Sequence, residues 1–369
     1  MRLPLLLLFA VLLFATLAIA QPRIETGEID GAAFRIDVPD NWNHGLVMYC
    51  HGYSPDPGRF DRKPARDAFS GFVNAGYAVA QSGYSSGGWA VQDAVQNTEA
   101  LRRYFISKYG PVKSTFVTGH SMGGLLTALI MERFPATYRG GLALCGPLTD
   151  MSSFLLDAFN VRVVFDYYFP EVLPPPDRVP ADFRNSKPRA QQLADAMKQK
   201  PEQAEIVRRY ARVHSTEDVA GDLALFTELL GDLRRRTGGN AFDNRNTIYT
   251  VDGDSNALNR GLKRYAADPV AAAYVAAWYS PTGKLDAPML AIHTTYDPIV
   301  PTFAPDTYAV RARAAGNPGF FVQQFVEHDG HCAIRPEEIS SGFSELLHWV
   351  DSGSAPEPGL VPAAATSTR

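Results

Sequence analysis

One junction constrains the fold of this 369-residue chain more than any other: Gly119-His120-Ser121-Met122-Gly123, set between a strand-like run and a helix-like run. Phe116-Val117-Thr118 before it is β-branched and aromatic, and residues 124–134 after it carry a helical pattern. A serine flanked by glycines at such a turn has its hydroxyl lifted above the end of the strand. The glycines let neighbouring backbone approach where a Cβ would collide. Such a turn belongs at the carboxyl end of a strand in an open α/β sheet, and the rest of the chain supplies that sheet.

Residues 24–38 read as two strands, the second alternating through Ala33-Phe34-Arg35-Ile36-Asp37-Val38 until Pro39-Asp40-Asn41 ends it. Gly45-Leu46-Val47-Met48-Tyr49-Cys50 is a continuous apolar run, as expected of a strand buried on both faces of a parallel sheet. Helix and strand then alternate: helix 67–75, strand 76–80, helix 91–108, strand 114–118, helix 125–134, strand 141–145. This rhythm predicts an α/β fold with a mostly parallel, doubly wound sheet.

From 150 to about 284 the strand-like runs nearly vanish. Helices are expected over 151–168, 189–199, 202–213, 217–236 and 256–279, punctuated by Pro174-Pro175-Pro176 and Gly238-Gly239. The sheet rhythm resumes with strand 288–293, helix 306–315, strand 320–326 and helix 336–350. The expected organisation is an α/β core of residues 21–150 and 285–352, a helical cap of residues 151–284 inserted between its halves, and a disordered tail of residues 353–369, rich in Pro, Ala, Ser and Thr.

Residues 1–20 read as a secretory signal peptide: Arg2, an apolar stretch over 3–17, then Ala18-Ile19-Ala20 before Gln21. The apolar stretch nears the length of a membrane anchor, and the small-residue site favours cleavage instead. No later run is long and apolar enough to span, so the mature protein is expected to be secreted or periplasmic, without stable membrane insertion. A net charge of −4 gives no electrostatic reason to expect nucleic acid or an anionic membrane as partner. Export permits disulfides, and the three cysteines, Cys50, Cys145 and Cys332, leave at least one unpaired within a monomer. Their spacing matches no zinc pattern, and Cys50 sits in a strand-like run where a buried apolar thiol is expected.

Ser121 needs a base, and the base needs an orienting acid. Asp297, in Thr294-Thr295-Tyr296-Asp297-Pro298-Ile299-Val300-Pro301, follows a sheet strand; Asp286 and Asp306 compete but flank that strand or sit in the next helix. His331, after the turn-forming Gly330, is favoured over His328 as the base. His348 and His293 read as structural or supporting groups. An oxyanion needs two backbone N–H donors, expected from Met122 and from Tyr53 in the loop His51-Gly52-Tyr53. No metal or organic cofactor is expected.

His51-Gly52-Tyr53, Gly119-His120-Ser121-Met122-Gly123-Gly124, Asp297-Pro298-Ile299-Val300-Pro301 and Gly330-His331-Cys332, in this order, resemble the α/β-hydrolase superfamily over about residues 24–350. The resemblance implies an α/β-hydrolase fold with Ser121, Asp297 and His331 as catalytic triad. Ser85-Ser86-Gly87-Gly88-Trp89 looks like a loop of prolyl-oligopeptidase-like and carboxylesterase-like members. Trp89 is thus a candidate pocket residue, or packs under the cap; His120 is a second pocket candidate, although a formed turn would point it elsewhere. Tannase and feruloyl esterases carry Cys directly before the nucleophile; here His120 stands there, which speaks against that group. A bridge between Cys145 and Cys332 is a separate expectation, since both sit near the catalytic edge.

The leading expectation is a secreted serine hydrolase acting on a small-molecule or polymeric carboxylic ester. A prolyl-type peptidase or an aminopeptidase is the alternative, with Glu217, Asp218 and Glu228 as cap carboxylates for an ammonium. A non-catalytic binding protein is the alternative of another class. The aromatic run Phe154, Phe159, Phe165, Tyr167, Tyr168 and Phe169 is expected to be mainly cap core.

Overall fold

The computed structural model describes residues 23–63 and 67–361, so the expected signal peptide lies outside the described residues. The chain runs β1 (Arg23–Ile29), β2 (Ala32–Val38), β3 (Gly45–Cys50), a 3₁₀ turn (Asp67–Phe69) leading into α1 (Ser70–Asn74), β4 (Ala78–Ser82), α2 (Val91–Tyr109), β5 (Ser114–His120), α3 (Met122–Arg133) and β6 (Gly140–Leu144). Six helices follow: α4 (Met151–Tyr168), α5 (Lys187–Lys198), α6 (Pro201–Ala211), α7 (Thr216–Thr237), α8 (Ser255–Gly261) and α9 (Pro269–Tyr279). The chain then returns through β7 (Met289–Tyr296), α10 (Phe303–Ala314), β8 (Phe321–Asp329), α11 (Pro336–Ser352) and β9 (Gly359–Leu360).

The strands form one nine-stranded sheet in the order β1-β2-β4-β3-β5-β6-β7-β8-β9. β1 and β2 pair antiparallel, as do β2 and β4, and every later pair is parallel. All residues of β3, β4 and β6 are buried, and β3 and β6 accordingly read as unbroken apolar runs, while β4 ends in the buried polar pair Gln81 and Ser82. One face packs on α2 and α3 through residues such as Leu101, Phe105, Leu125 and Leu129. The other packs on α1 and α11, where Phe72, Phe116 and Tyr77 meet Phe343 edge to face.

The connections set the place of the site. From β3 the chain steps to β4 on one side, then crosses to β5 on the other. The carboxyl ends of β3 and β5 therefore flank a point where the winding reverses, and loops leaving there diverge to open a crevice. Ser121 follows β5 and Gly52 follows β3 at that crevice.

Two expectations need correction. The single helix expected over 256–279 is two helices. Leu262 is extended (φ −72°, ψ 150°), and α9 starts afresh where Asp268 accepts hydrogen bonds from the N–H groups of Val270 and Ala271, with Pro269 in the first turn. Proline excludes the helical conformation from the residue before it, so a continuous helix cannot pass this point. The disordered tail expected from 353 is also wrong for 353–361: Gly359–Leu360 pairs with β8, and Val361 N–H donates to Phe325 O at 2.8 Å. Composition hid this strand, because a two-residue pairing leaves no periodicity; residues 362–369 lie outside the described residues.

Candidate active site

Ser121 sits between β5 and α3 at φ 57°, ψ −122°, a conformation costly for any residue with a Cβ. Its N–H donates to Leu144 O at 2.9 Å, and its carbonyl accepts from Gly124 N–H at 2.8 Å. The glycines on either side are required by approach. A Cβ on Gly119 would stand 2.4 Å from Cys50 O, and one on Gly123 would stand 2.0 Å from the same atom. The turn thus presses against the end of β3 and carries the serine toward the loop that leaves it. A Cβ on Gly52 would lie 3.3 Å from Ser121 Cβ.

Ser121 Oγ lies 2.8 Å from His331 Nε2, and His331 Nδ1 lies 2.7 Å from Asp297 Oδ2. A carboxylate only accepts, so Nδ1 carries the proton and Nε2 is left free to accept from the serine hydroxyl. Asp297 is buried, and its second oxygen accepts the N–H groups of Ile299 and Val300, each at 2.9 Å. Asp286 lies before β7, at the opposite end of that strand from Asp297, and Asp306 lies in the first turn of α10. His328 Nε2 is engaged by Glu338 at 2.8 Å, and His348 lies within α11.

The loop that carries the histidine is pinned on both sides. Gly330 N–H donates to Tyr296 O at 2.8 Å, and Thr294 Oγ1 donates to Tyr296 O and Gly330 O at 3.1 and 3.2 Å. On the other side Cys332 forms a disulfide with Cys145, which follows β6. The remaining cysteine, Cys50, is a buried free thiol pushed up to about 12 by desolvation. Thr294 carried no sequence signal, since its role is to cross-link two loops distant in the chain.

His293 stands behind Asp297, its Nε2 3.9 Å from Asp297 Oδ2, while its Nδ1 donates to Thr294 O at 3.0 Å. Burial holds this imidazole below its usual value, so it is neutral near pH 7.

A cavity of about 230 Å³ opens over Ser121 and His331. The core contributes Gly52, Tyr53, Trp89, Ile299 and Val300 to its lining. The helical segment contributes Phe154 from α4 and Leu225, Phe226 and Leu229 from α7. Tyr53 remains a neutral phenol, its acidity suppressed first by burial and then by Glu228 and Asp232. Met122 is the first residue of α3, so its N–H is one of those with no acceptor inside the helix.

Trp89 both lines the cavity and packs underneath. It is 4% exposed, its N–H donates to Asp232 Oδ2 at 2.8 Å, and its carbonyl accepts from Tyr279 OH at 2.7 Å. The assignment of His120 to the pocket is wrong. His120 Nδ1 lies 3.2 Å from Tyr49 OH, on the side of the sheet covered by Phe69, because consecutive residues at a strand end point to opposite faces. Of the aromatic run in α4, Phe154 reaches the cavity. Phe159 packs on Phe242 and Tyr265, and Phe165 stacks on Phe169. The α7 wall was not foreseen, since Leu225, Phe226 and Leu229 look like the buried stripe of any packed helix.

A profile of the family described as Serine aminopeptidase, S33, matches residues 42–216, just under half of the chain; this stretch holds Ser121 but neither Asp297 nor His331. No curated protein matches the chain. Similar solved structures include a Pyrococcus horikoshii acylaminoacyl peptidase at 11% identity, covering 90% of this chain and 41% of that one with a TM-score of 0.47. A Pyrococcus furiosus esterase is 15% identical, over 88% of this chain and 91% of that one, with a TM-score of 0.47. A Mycobacterium smegmatis proline iminopeptidase is 16% identical, over 90% and 99%, with a TM-score of 0.45. The chain spans about two fifths of the length of the acylaminoacyl peptidases.

Proposed function

We propose that this chain, which has the α/β-hydrolase fold and is a member of the α/β-hydrolase superfamily, is an exported serine hydrolase that cleaves carboxylic esters. The observation that carries the reading is the hydrogen-bonded series Ser121–His331–Asp297 opening into a cavity with no charged side chain in its lining among the described residues. Ser121 Oγ attacks the ester carbonyl while His331 Nε2 takes its proton. Asp297 fixes the tautomer and stabilises the imidazolium that forms. The N–H groups of Met122 and Tyr53 hold the oxyanion. His331 then protonates the leaving alcohol, and water releases the acid from the acyl-enzyme by the same route. The chemistry needs no metal or organic cofactor. A cavity of about 230 Å³ equals on the order of eight water volumes at ~30 Å³ each, which suits a short or medium acyl or aryl group. The Cys145–Cys332 bridge supports export to an oxidising compartment.

The description of the matching family favours a second reading, an aminopeptidase. An amine-recognising site needs a carboxylate in reach of the substrate ammonium. Glu217 is exposed; Asp218 accepts from Ser215 N–H and Tyr296 OH; Glu228 is buried and accepts from Asn185 N–H. None of the three lines the cavity over Ser121. The test compares p-nitrophenyl butyrate with a proline arylamide, for wild type and Ser121→Ala. Ester turnover that Ser121→Ala abolishes without unfolding is the expected result. Faster cleavage of the arylamide would transfer the assignment to peptidases. Failure of wild type to label with a fluorophosphonate would leave a non-catalytic binding protein.

A further inference from the structure

The loop Ser85-Ser86-Gly87-Gly88-Trp89 is fastened on one side to the helical segment and on the other to the loop that leaves β3. Side chains of the helical segment hold three of its main-chain groups. Asp232 of α7 accepts from Trp89 N–H at 2.8 Å, Tyr279 of α9 donates to Trp89 O at 2.7 Å, and Arg236 of α7 donates to Gly87 O at 2.7 Å. Arg236 also donates to Asp93 of α2 at 3.1 Å. On the far side Gly88 N–H donates to Ser54 O at 2.7 Å, in an isolated antiparallel bridge directly after Tyr53.

Two glycines permit this double contact. A Cβ on Gly88 would stand 2.3 Å from Asp232 Oδ2, and a Cβ on Gly87 would stand 2.3 Å from Pro55 O. α7 and the loop after β3 thus press on the same short backbone. Leu225, Leu229, Asp232 and Arg236 recur at helical spacing, so the face of α7 that walls the catalytic cavity also grips this loop.

We infer that Asp232 and Arg236 are positioning residues for the oxyanion: through Gly87, Gly88 and Trp89 they hold the loop from which Tyr53 N–H meets the developing charge. The inference rests on the serine-hydrolase reading of Ser121. It gives the helical segment a part in the chemistry beside its part in the cavity wall.

The two oxyanion donors differ in what holds them. Met122 opens α3, directly after Ser121, whose N–H is bonded to Leu144 O in the sheet. Tyr53 has no such support, because no helix or named strand occurs among the described residues between Cys50 and Asp67. Beyond Tyr53, the first main-chain hydrogen bond from this loop to another segment, among the described residues, is that of Ser54 with Gly88. A donor stabilises an oxyanion only within about 2.7–3.1 Å, so slack in that tether is lost transition-state binding. The Asp232 and Arg236 side chains are each 17% exposed, and their hydrogen bonds to the loop are charge-assisted.

The test measures kcat and KM per fluorophosphonate-titrated site for p-nitrophenyl acetate and p-nitrophenyl hexanoate. It also measures the affinity of a trifluoromethyl ketone, which binds as a tetrahedral oxyanion. Asp232→Ala and Arg236→Ala are each expected to lower kcat for both esters about 10–10²-fold with KM nearly unchanged, less than the ~10²–10³-fold cost of deleting a donor. Ketone affinity should fall by a similar factor. Asp232→Asn, which keeps an acceptor for Trp89 N–H, should retain most of the activity. The double alanine variant should lose much less than the product of the single losses, since both residues act on one loop. A loss confined to the hexanoate or to KM overturns the inference and leaves α7 as a cavity wall alone. So does a loss of titratable sites and melting temperature with per-site rates and ketone affinity unchanged, which is what a purely structural role produces. If Asp232→Ala does not fold, Arg236→Ala carries the same comparison. Failure of the ester reading is distinguishable, because it shows in wild type, which would turn over neither ester. The variants are then compared on the proline arylamide, whose cleavage develops the same oxyanion, and a wild type inert on all three substrates overturns both readings.

Discussion

The bridge between Cys145 and Cys332 allows a stability prediction with a stated size. It closes a loop of sequence separation 187, which contains the whole helical segment together with β7, α10 and β8. In the chain-entropy account, closing a loop of that length removes roughly 18 cal/mol/K from the unfolded chain, or about 5 kcal/mol at 25 °C. Measured losses on removing native bridges run to ~2–5 kcal/mol, so a drop of about 3–5 kcal/mol is expected for the double variant Cys145→Ala/Cys332→Ala. Removing both cysteines avoids leaving a lone thiol beside His331. The assay is urea unfolding under non-reducing conditions, with the urea dependence expected to steepen as the unfolded chain expands. Wild type unfolded with reductant present should fall onto the curve of the double variant. Activity adds a second readout. Cys332 follows His331 directly, so the variant should lose kcat with little change in KM, by up to ~10²-fold if the imidazole drifts by about 1 Å. A stability loss below ~1 kcal/mol with an unchanged slope would refute the reasoning.

Further outcomes follow from the same geometry. Asp297→Asn keeps the shape of the site but offers His331 Nδ1 an amide, and kcat should fall on the order of 10⁴-fold with the fold intact, as circular dichroism would show. Phe226→Ala should move the preferred acyl length upward, each newly buried methylene adding about 0.8 kcal/mol, or roughly fourfold in kcat/KM, in a p-nitrophenyl ester series; Phe226→Trp should shorten it. Asp222→Asn should raise the melting temperature increasingly as pH rises. Asp222 is raised in the folded state above its unfolded value of 3.8, so the folded chain holds a proton that the unfolded chain gives up, and stability is lost as pH climbs above that value. A Tm difference that stays flat from pH 4 to 8 would contradict this.

The sequence was informative wherever chemistry imposes residue identity at fixed spacing. Gly119 and Gly123 are legible because only glycine tolerates the approach of Cys50 O, and their pairing with Ser121 points to the turn. Asp297 and His331 were legible from order and from loop positions after strands. What could not be read arises from contacts between distant segments. Leu225, Phe226 and Leu229 face a cavity, yet nothing in α7 distinguishes them from neighbours that pack into the core. His120 was a plausible pocket residue by adjacency, and only the alternation of side chains at the end of β5 sends it to Tyr49. The burial of Asp222 carries no sequence signal, since burial is a property of what α7 packs against and not of α7 itself.

β9 has a consequence of another kind. Without Gly359–Leu360, β8 would be the outer strand of the sheet, and its backbone groups along Gln324 and Phe325 would be open to another chain. The cover is only two residues long and is preceded by Pro356 and Pro358, which have no N–H to offer a further strand. Gln324 Nε2 fastens the approach by donating to Glu357 O at 3.0 Å and to Glu345 Oε2 at 2.7 Å. A short, proline-flanked cover ends strand pairing on this side of the sheet. Resistance to edge-to-edge aggregation therefore rests on a segment that contributes nothing to the site, and a chain cut before Gly359 would keep its chemistry while gaining a sticky edge.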